Sequence, residues 1–390
     1  MSRKKHMQLI LLWGLLTAVL LPTVLDLATF SLVYYAATFT LFRKEIKSIW
    51  ANTRNVWIGL SIFLCIGIFC SQLPEKSAKA AYDIIRFLTL FYFAAPLLKH
   101  STDKELTRSL FVFSAFIGYT FLAITIYFQL YDNVIFIRDS ISPYAKFGIG
   151  SHNHISTVTA AFLVLSLSLA LTEIKLKDIL ILVLPLSYCI IVTLSRGNIV
   201  AVIFSSTFLL FYHFKFSCKI FTSVLAVFIF AFIYIFFFLE CNNDSCKLNI
   251  FARQYIYQDT LALILDKPFF GYGLSVFKHV SGIQEFGENI VMPHNLTLEL
   301  LYSVGLVGTV ILIFSMLIWM NKSGWDIRNI FSSQRLPLPV IMALSMLIYL
   351  FTRGLFDLKL VSSVTFGLIA FSFALLCSRP RKPYSPQTTV

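Results

Sequence analysis

The stretch LTLELLYSVGLVGTVILIFSMLIWM, residues 296–320, decides the fold class of this chain. It is almost entirely apolar, and a helix needs about 20 such residues to cross a bilayer. Similar apolar runs follow one another along the sequence, with short polar segments between them. Of the 390 residues, 58% are hydrophobic and 13% are charged, whereas soluble domains are about a quarter charged. The sequence therefore predicts an all-α polytopic membrane protein and excludes a soluble enzyme with a membrane anchor.

The apolar runs predict about twelve transmembrane helices. The first run directly follows the basic segment Met1–His6 and lacks a small-residue cleavage site, so we expect an uncleaved first span. The predicted spans are 8–22, 24–42, 55–72, 83–98, 109–130, 154–171, 179–194, 198–213, 220–239, 296–320, 337–353 and 360–377.

Lys and Arg are distributed unequally between the segments that separate these spans. Almost two-thirds of them fall on one side if the N-terminus is placed in the cytoplasm. Because cytoplasmic segments are enriched in Lys and Arg, we expect both termini in the cytoplasm and read the net charge of +13 as a topology signal, not as a nucleic-acid surface. The basic residues on that side are Arg3, Lys4, Lys5, Arg43, Lys44, Lys47, Arg54, Lys99, Lys104, Arg108, Lys175, Lys177, Lys215, Lys219, Lys322, Arg328, Arg335, Arg379, Arg381 and Lys382.

The predicted spans divide the chain into four parts. Residues 1–240 hold transmembrane helices one to nine with short loops, and residues 241–293 form one large outer loop containing short helices. Residues 294–378 hold the last three helices, and residues 379–390 form a disordered cytoplasmic tail. A long loop in a compact bundle is usually functional, so the polar residues in and around residues 241–293 are the candidates for chemistry.

The clearest local pattern is Pro293-His294-Asn295, followed by nine residues and then Gly305-Leu306-Val307-Gly308. Proline is favoured at the first helical position, so we expect His294 near a helix N-terminus beside the large loop. The positive end of the helix dipole disfavours an imidazolium there, and the neutral ring can accept a proton. Gly305 and Gly308 are predicted to let another helix approach closely. A histidine at a helix start is also a common interfacial residue, so the pattern alone leaves both roles open.

Two arginines are predicted to lie at the outer surface. Arg196 lies in Ser195-Arg196-Gly197 between two spans, and Arg253 lies in the large loop ahead of Gly271-Tyr272-Gly273. Taken singly, they read as a snorkelling anchor and a solvated loop charge. Taken together they suit phosphate, because guanidinium binds its oxygens bidentately and keeps its charge. With a histidine that takes a proton from a sugar hydroxyl, the set suits displacement of a diphosphate from a lipid-linked sugar.

The sequence does not indicate a metal or a cofactor. His152 and His154 flank Asn153 at a spacing that fits no zinc pattern, so we expect a surface or interfacial role for them. Of the seven cysteines, Cys241 and Cys246 flank a polar stretch of the large loop. They would form a small disulfide if that loop faces an oxidising compartment.

The pattern His294-Asn295-x9-Gly305-x2-Gly308 resembles the motif of bacterial O-antigen ligases. Ser195-Arg196-Gly197 is similar to that family's arginine between middle spans, and the stretch from Arg253 to Gly273 resembles its large periplasmic loop. The twelve-span layout with one late outer loop also matches, so the resemblance extends over nearly the whole chain.

The resemblance implies a glycosyltransferase of the Gram-negative inner membrane whose active site faces the periplasm. Such enzymes transfer O-antigen from undecaprenyl diphosphate to the lipid A–core oligosaccharide in lipopolysaccharide biosynthesis, with inversion and without a metal. By resemblance, His294 would activate the acceptor hydroxyl, and Arg196 and Arg253 would hold the diphosphate. Asn295, Gly305 and Gly308 would support the motif.

Two alternatives stay open. O-antigen polymerases and protein O-oligosaccharyltransferases share the architecture and parts of the motif, although the exact spacing favours the ligase. A polysaccharide transporter is the alternative from another class. Transporters usually carry ionisable residues in mid-span and internal inverted repeats, whereas the predicted spans here are nearly free of charge.

Overall fold

The computed structural model of the chain describes residues 10–11, 13–14, 27–132, 152–170, 176–193, 195–214, 244–281, 293–322, 336–357 and 363–378. Within these ranges the regular secondary structure is helical throughout, and the expected all-α class is confirmed for them. A helix suits a bilayer because it pairs its backbone polar groups within the segment. The predicted span 220–239 lies outside the described residues, and 8–22 almost entirely so. The number of about twelve spans therefore stays a prediction.

The described residues form helices α1 to α11 in chain order. They are α1 Leu27–Phe69, α2 Pro74–His100, α3 Asp103–Asp132, α4 His152–Ala170, α5 Leu176–Val192, α6 Arg196–Phe214, α7 Asp244–Asp266, α8 Phe277–Val280, α9 Leu296–Lys322, α10 Leu338–Asp357 and α11 Ser363–Ser378. Helix α7 occupies much of the predicted outer loop and is longer than the short helices expected there.

Several of these helices are suited to a bilayer. Among the described residues, four helical segments are long and apolar enough to cross a membrane, namely Tyr34–Phe69, Asp103–Leu130, Leu296–Trp319 and Leu338–Leu355. Helix α9 exposes an apolar stripe at helical spacing that includes Leu306, Val310, Ile313, Phe314 and Leu317. A contiguous stripe of this kind is unfavourable in water and favourable against lipid. The fold is therefore that of a helical membrane protein.

Helix α1 corrects one predicted boundary. The described parts of the predicted spans 24–42 and 55–72 lie in two helical segments that meet at Phe42 (φ −130°, ψ 28°) without a loop between them. Residues 43–54, predicted as a basic loop, are helical. Phe42 is buried and stacks on His100 at the end of α2, with ring centroids 5.3 Å apart. The loop prediction was wrong because Lys and Arg are good helix formers, so a polar interval need not end a helix.

Helix α4 lies at the centre of the bundle. From Ile155 to Leu169 almost every side chain is buried, and α4 packs against α3, α5, α6 and α10. Hydroxyl groups join its neighbours, because Ser168 Oγ lies 3.0 Å from Ser345 Oγ of α10 and Ser205 Oγ of α6 donates to the Ser345 carbonyl at 3.1 Å. Such bonds help to associate helices in lipid. Helices α4, α6 and α10 thus form a frame that positions the residues described next.

Candidate functional site

His294 lies immediately before the helix that carries its motif. Its backbone has a φ of 56°, in the left-handed region that residues with a Cβ rarely adopt. The side chain is partly exposed. Helix α9 begins at Leu296, so Pro293 lies outside the helix and the predicted proline start is wrong. Strained backbone of this kind clusters at active sites, which makes the His294 turn, residues 293–295, the centre of the candidate site.

Asn295 caps helix α9. Its Oδ1 accepts hydrogen bonds from the amides of Thr297 at 2.9 Å and Leu298 at 3.1 Å. Its carbonyl accepts the first intrahelical bond, from the Glu299 amide at 2.8 Å. Asparagine is among the best N-cap residues because its side chain pairs amides that have no partner inside the helix. The cap fixes the helix start and therefore the direction in which the preceding His294 leaves it.

The His294 turn is tied to the end of α10. Asn295 Nδ2 donates to the Leu355 carbonyl at 3.1 Å. Next to this bond, the two helices touch at Gly354, where an added Cβ would lie 2.9 Å from Leu296 Cδ2 and 3.0 Å from Leu296 Cβ. Glycine at position 354 therefore permits the close approach that the hydrogen bond needs.

Arg196 occupies the first position of α6, and its turn is tied to α10 as well. The Asn198 amide bonds to the Ser195 carbonyl at 3.0 Å, and Asn198 Nδ2 donates to Ser195 Oγ at 2.9 Å. Asn198 Oδ1 in turn accepts the Tyr349 hydroxyl at 2.8 Å. The carbonyl that accepts the bond from Asn295 belongs to Leu355, six positions after Tyr349 on α10. This separation corresponds to about 9 Å along the helix.

Arg253 lies on α7, beside the first half of α9. Three positions further along α7, Ile256 belongs to a buried apolar cluster that also contains Tyr302 of α9. Residues three positions apart share a face of a helix, so Arg253 lies on the α7 face directed towards α9. The structure thus attaches the Arg196 and His294 turns to the second half of α10, and α7, which carries Arg253, packs against α9.

Gly305 breaks α9, with a φ of 65° and a ψ of −171°. The break is filled by the docked loop, residues Pro268–Gly273. The amides of Leu306 and Val307 bond to the carbonyls of Pro268 at 2.8 Å and Phe269 at 3.1 Å. In the opposite sense, the amides of Tyr272 and Gly273 bond to the carbonyls of Tyr302 at 2.8 Å and Ser303 at 2.9 Å. The loop therefore supplies partners that a broken helix lacks.

The glycines of the motif admit this loop, and the predicted approach of another helix is wrong for Gly305. A Cβ on Gly305 would lie 2.3 Å from the Phe269 carbonyl carbon, and a Cβ on Gly271 would lie 2.5 Å from the Tyr302 oxygen. Gly308 is different, because its added Cβ would meet Val304 of the same helix at 2.6 Å. Its small size accommodates the change of direction within α9.

A second anchor holds the docked loop against the turn between α1 and α2. The Gln72 amide donates to the Tyr272 carbonyl at 3.2 Å. Ser77 Oγ donates to the Leu274 carbonyl at 3.0 Å. Lys76 of α2 also contacts the His279 ring. The docked loop is therefore clamped between two parts of the bundle that are distant in sequence.

Tyr272 of the docked loop has a structural role. Its hydroxyl donates to the Asp266 carboxylate, its ring stacks on Tyr302, and Lys267 Nζ lies 4.4 Å from the ring centroid. Burial, followed by the hydrogen bond to Asp266 and the charge of that carboxylate, raises the pKa of Tyr272 to about 12. The hydroxyl therefore remains protonated at neutral pH and serves as a donor that closes the loop.

Other predicted residues lie partly outside the described structure. The side chains of His152 and His154 are not among those described, although α4 begins at His152. Cys241 lies outside the described residues, so its pairing with Cys246 stays a prediction. Within the described ranges, no group of three or more His, Cys, Asp or Glu side chains is placed to hold a metal ion.

Two buried charged residues were missed by the sequence analysis. Glu299 lies in the first turn of α9 and is 5% exposed, and Arg353 lies near the end of α10 and is 1% exposed. A charge at the end of a span is usually an anchor, and for that reason neither drew attention. The sequence did contain a signal for Arg353. It lies at the predicted outer end of span 337–353, where the positive-inside rule disfavours an arginine.

The fold is that of a helical membrane protein in which the turns before α6 and α9 are both bonded to α10. A family model described as O-antigen ligase matches residues 180–313, a range that contains Arg196, Arg253, His294, Asn295, Gly305 and Gly308. The match supports the O-antigen ligase family for this chain, as the motif predicted, and members of this family are glycosyl-transfer enzymes. Neither a curated protein nor a solved structure gave a significant match.

Proposed function

We propose that the protein is an O-antigen ligase, which transfers O-antigen polysaccharide from undecaprenyl diphosphate to the lipid A–core oligosaccharide at the periplasmic face of the inner membrane. One observation carries most weight: the turns of Arg196 and His294 are bonded to α10 at Tyr349 and Leu355. A proton acceptor and a phosphate-binding cation are thus attached to the same short segment of one helix. A single displacement at a glycosyl diphosphate needs both.

In the proposed reaction, His294 is the general base. Its ring takes the proton of an acceptor sugar hydroxyl while the oxygen attacks the anomeric carbon of the donor sugar. The bond from that carbon to the diphosphate oxygen breaks, undecaprenyl diphosphate leaves, and the configuration is inverted. Positioned proton transfer of this kind contributes about 10²–10⁴-fold to a rate. The capped start of α9 favours this role, because the cap holds His294 in one orientation.

The arginines act on the leaving group. Negative charge grows on the diphosphate as the sugar–oxygen bond breaks, and prealigned cations stabilise charge at the point where it develops. Arg196 begins α6 and so lies at the positive end of that helix dipole, which adds to its attraction for an anion. Arg253 approaches from α7. Two guanidinium groups thus neutralise the diphosphate, and the proposed mechanism is metal-independent.

The reaction is tested with purified protein, undecaprenyl-diphosphate-linked O-antigen and lipid A–core. We expect polysaccharide on the lipid A–core and released undecaprenyl diphosphate. A deletion strain gives the matching cellular result, loss of the lipopolysaccharide ladder with accumulation of lipid-linked O-antigen. A strain that instead retains a single-repeat lipopolysaccharide band would identify a polymerase, and loss of a glycosylated protein would identify a protein O-oligosaccharyltransferase.

We also propose that the chain has about twelve spans, that residues 241–293 face the periplasm and that both termini are cytoplasmic. The contacts of the docked loop support this orientation. The loop contacts Gln72 in the turn between α1 and α2, and Leu274, directly after the loop, bonds to Ser77 of α2. The distribution of Lys and Arg predicts that this turn lies on the non-cytoplasmic side. Asn243→Cys, in a protein lacking the native cysteines, should react with a membrane-impermeant thiol reagent in cells with an intact inner membrane. Labelling that requires permeabilisation of the inner membrane would reverse the orientation.

A further inference from the structure

Arg353 is one of the largest fully buried side chains among the described residues, with 1% of its surface exposed. A guanidinium keeps its charge at any physiological pH. A charge inside a membrane-spanning helix is costly, and such residues usually mark a binding or transport function. Other basic residues of the described helices differ from Arg353. Lys47 of α1, Lys99 of α2 and Lys104 of α3 are exposed. Burial of the Arg353 charge therefore costs free energy that an exposed anchoring residue does not cost.

Arg353 lies between the two turns of the candidate site. Tyr349 and Arg353 are four residues apart and share a face of α10, and the guanidinium lies within electrostatic range of the Tyr349 hydroxyl. That hydroxyl bonds to Asn198, in the turn of α6 that begins with Arg196. On the other side, the next two residues of α10, Gly354 and Leu355, contact the start of α9.

We propose that Arg353 is a third cation of the donor site, which binds the diphosphate of the lipid-linked substrate together with Arg196. This inference rests on the proposed function. The planar fork of a guanidinium matches phosphate oxygens in pairs, and the negative end of the α10 dipole stabilises the cation before the donor arrives. Arg353 is a binding residue that prepares the leaving group, and it takes no part in proton transfer.

The test measures binding without transfer. Full-length protein in nanodiscs is titrated with undecaprenyl diphosphate in the absence of acceptor, and thermal melting is recorded for each variant. We expect Arg353→Met to raise the Kd by about tenfold or more, because it removes charge-assisted hydrogen bonds. Arg353→Lys should lie between Arg353→Met and the wild type, since it keeps the charge and loses the fork.

Arg86→Met is the control, because Arg86 is also an arginine within a helix, although it is half-buried. It lies on α2, where its carbonyl accepts the Tyr35 hydroxyl of α1. It should bind the donor as the wild type does. A folded Arg353→Met or Arg353→Lys protein with the wild-type Kd would overturn the inference. So would a variant that weakens binding of phosphorylated lipid A–core and spares the donor. Failure of the wild type to bind undecaprenyl diphosphate would instead overturn the proposed function.

Discussion

The two halves of the His-Asn-x9-Gly-x2-Gly pattern lie just before α9 and in its middle, and they differ in exposure and in the bonds that hold them. The His294 turn is partly exposed and is held by side-chain hydrogen bonds of Asn295. The break at Gly305 is buried and is closed by four backbone hydrogen bonds to the docked loop. The first half leaves an imidazole ring partly exposed, whereas the second joins two parts of the chain. One sequence pattern therefore contains a candidate reactive turn and a structural joint, and substitutions should separate them.

The largest effect on the reaction is expected at His294. His294→Gln keeps a hydrogen-bonding side chain and removes the proton acceptor, so transfer should fall by about 10²–10⁴-fold. Thermal melting and donor binding should change little, because the side chain is partly exposed. The measurement is turnover of purified protein with donor and lipid A–core. Near wild-type turnover of His294→Gln would remove the base role and leave catalysis to the arginines.

A smaller loss of transfer is expected at Arg196. Arg196→Ala removes a cation from the leaving group and should slow transfer by about 10²-fold. Arg196→Lys should retain more activity, because it keeps the charge at the start of α6 without the planar fork. If Arg196→Ala and Arg253→Ala both transfer at wild-type rates at normal protein levels, the two arginines are anchors and not diphosphate ligands.

Substitution at the joint around Gly305 should change the stability of the protein more than the chemistry of transfer. Gly305→Ala places a Cβ 2.3 Å from the Phe269 carbonyl carbon. The backbone at φ 65° and ψ −171° lies in a region essentially restricted to glycine, which alone costs about 1–3 kcal/mol for a residue with a Cβ. The melting temperature should therefore fall, and transfer should fall with the folded fraction. Gly118→Ala in α3 is the control, since its Cβ would meet Leu186 at 3.3 Å. Equal melting of Gly305→Ala and the wild type would contradict the docking of the loop.

Substitutions of Asn295 should give the smallest effect on stability. They also separate the capping of α9 from the bond to α10. Asn295→Ala removes the cap of α9 and should cost about 1 kcal/mol of stability. Asn295→Asp keeps the capping oxygen and loses the donor to the Leu355 carbonyl, so it should preserve most of the stability. If the bond to α10 positions His294, transfer should fall in both variants. Full activity of a stable Asn295→Asp protein would show that the cap alone suffices.

Hydropathy predicted the helical membrane class because burial in lipid depends on composition, which can be read along the chain. It failed at residues 43–54, where a basic interval remains helical within α1. The motif directed attention to His294 and to Arg196, and it correctly indicated a helix start. Asn295 as the cap of α9 was not predicted, although asparagine before an apolar run is a known start signal.

Sequence patterns did not predict the joint at Gly305 or the burial of Arg353. Two glycines three positions apart in an apolar run usually indicate helix contact, and only the backbone geometry at Gly305 reveals that a loop enters instead. Neighbours of Arg353 on α10 contact two other helices, because Tyr349 bonds to Asn198 of α6 and Gly354 packs against Leu296 of α9. Local sequence contains no information on such an arrangement.

The docked loop also constrains the order in which the protein can assemble. Pro268 is synthesised 38 residues before its partner Leu306, so the loop is made before the part of α9 that receives it. Helix α9 in turn exposes unpaired backbone at Gly305 until the loop returns, and each such group costs several kcal/mol in lipid. Insertion of α9 and return of the loop are therefore coupled, and the His294 turn can reach its final position only late in biogenesis. A chain that ends before residue 306 would lack the hydrogen bonds that Leu306 and Val307 make to the docked loop.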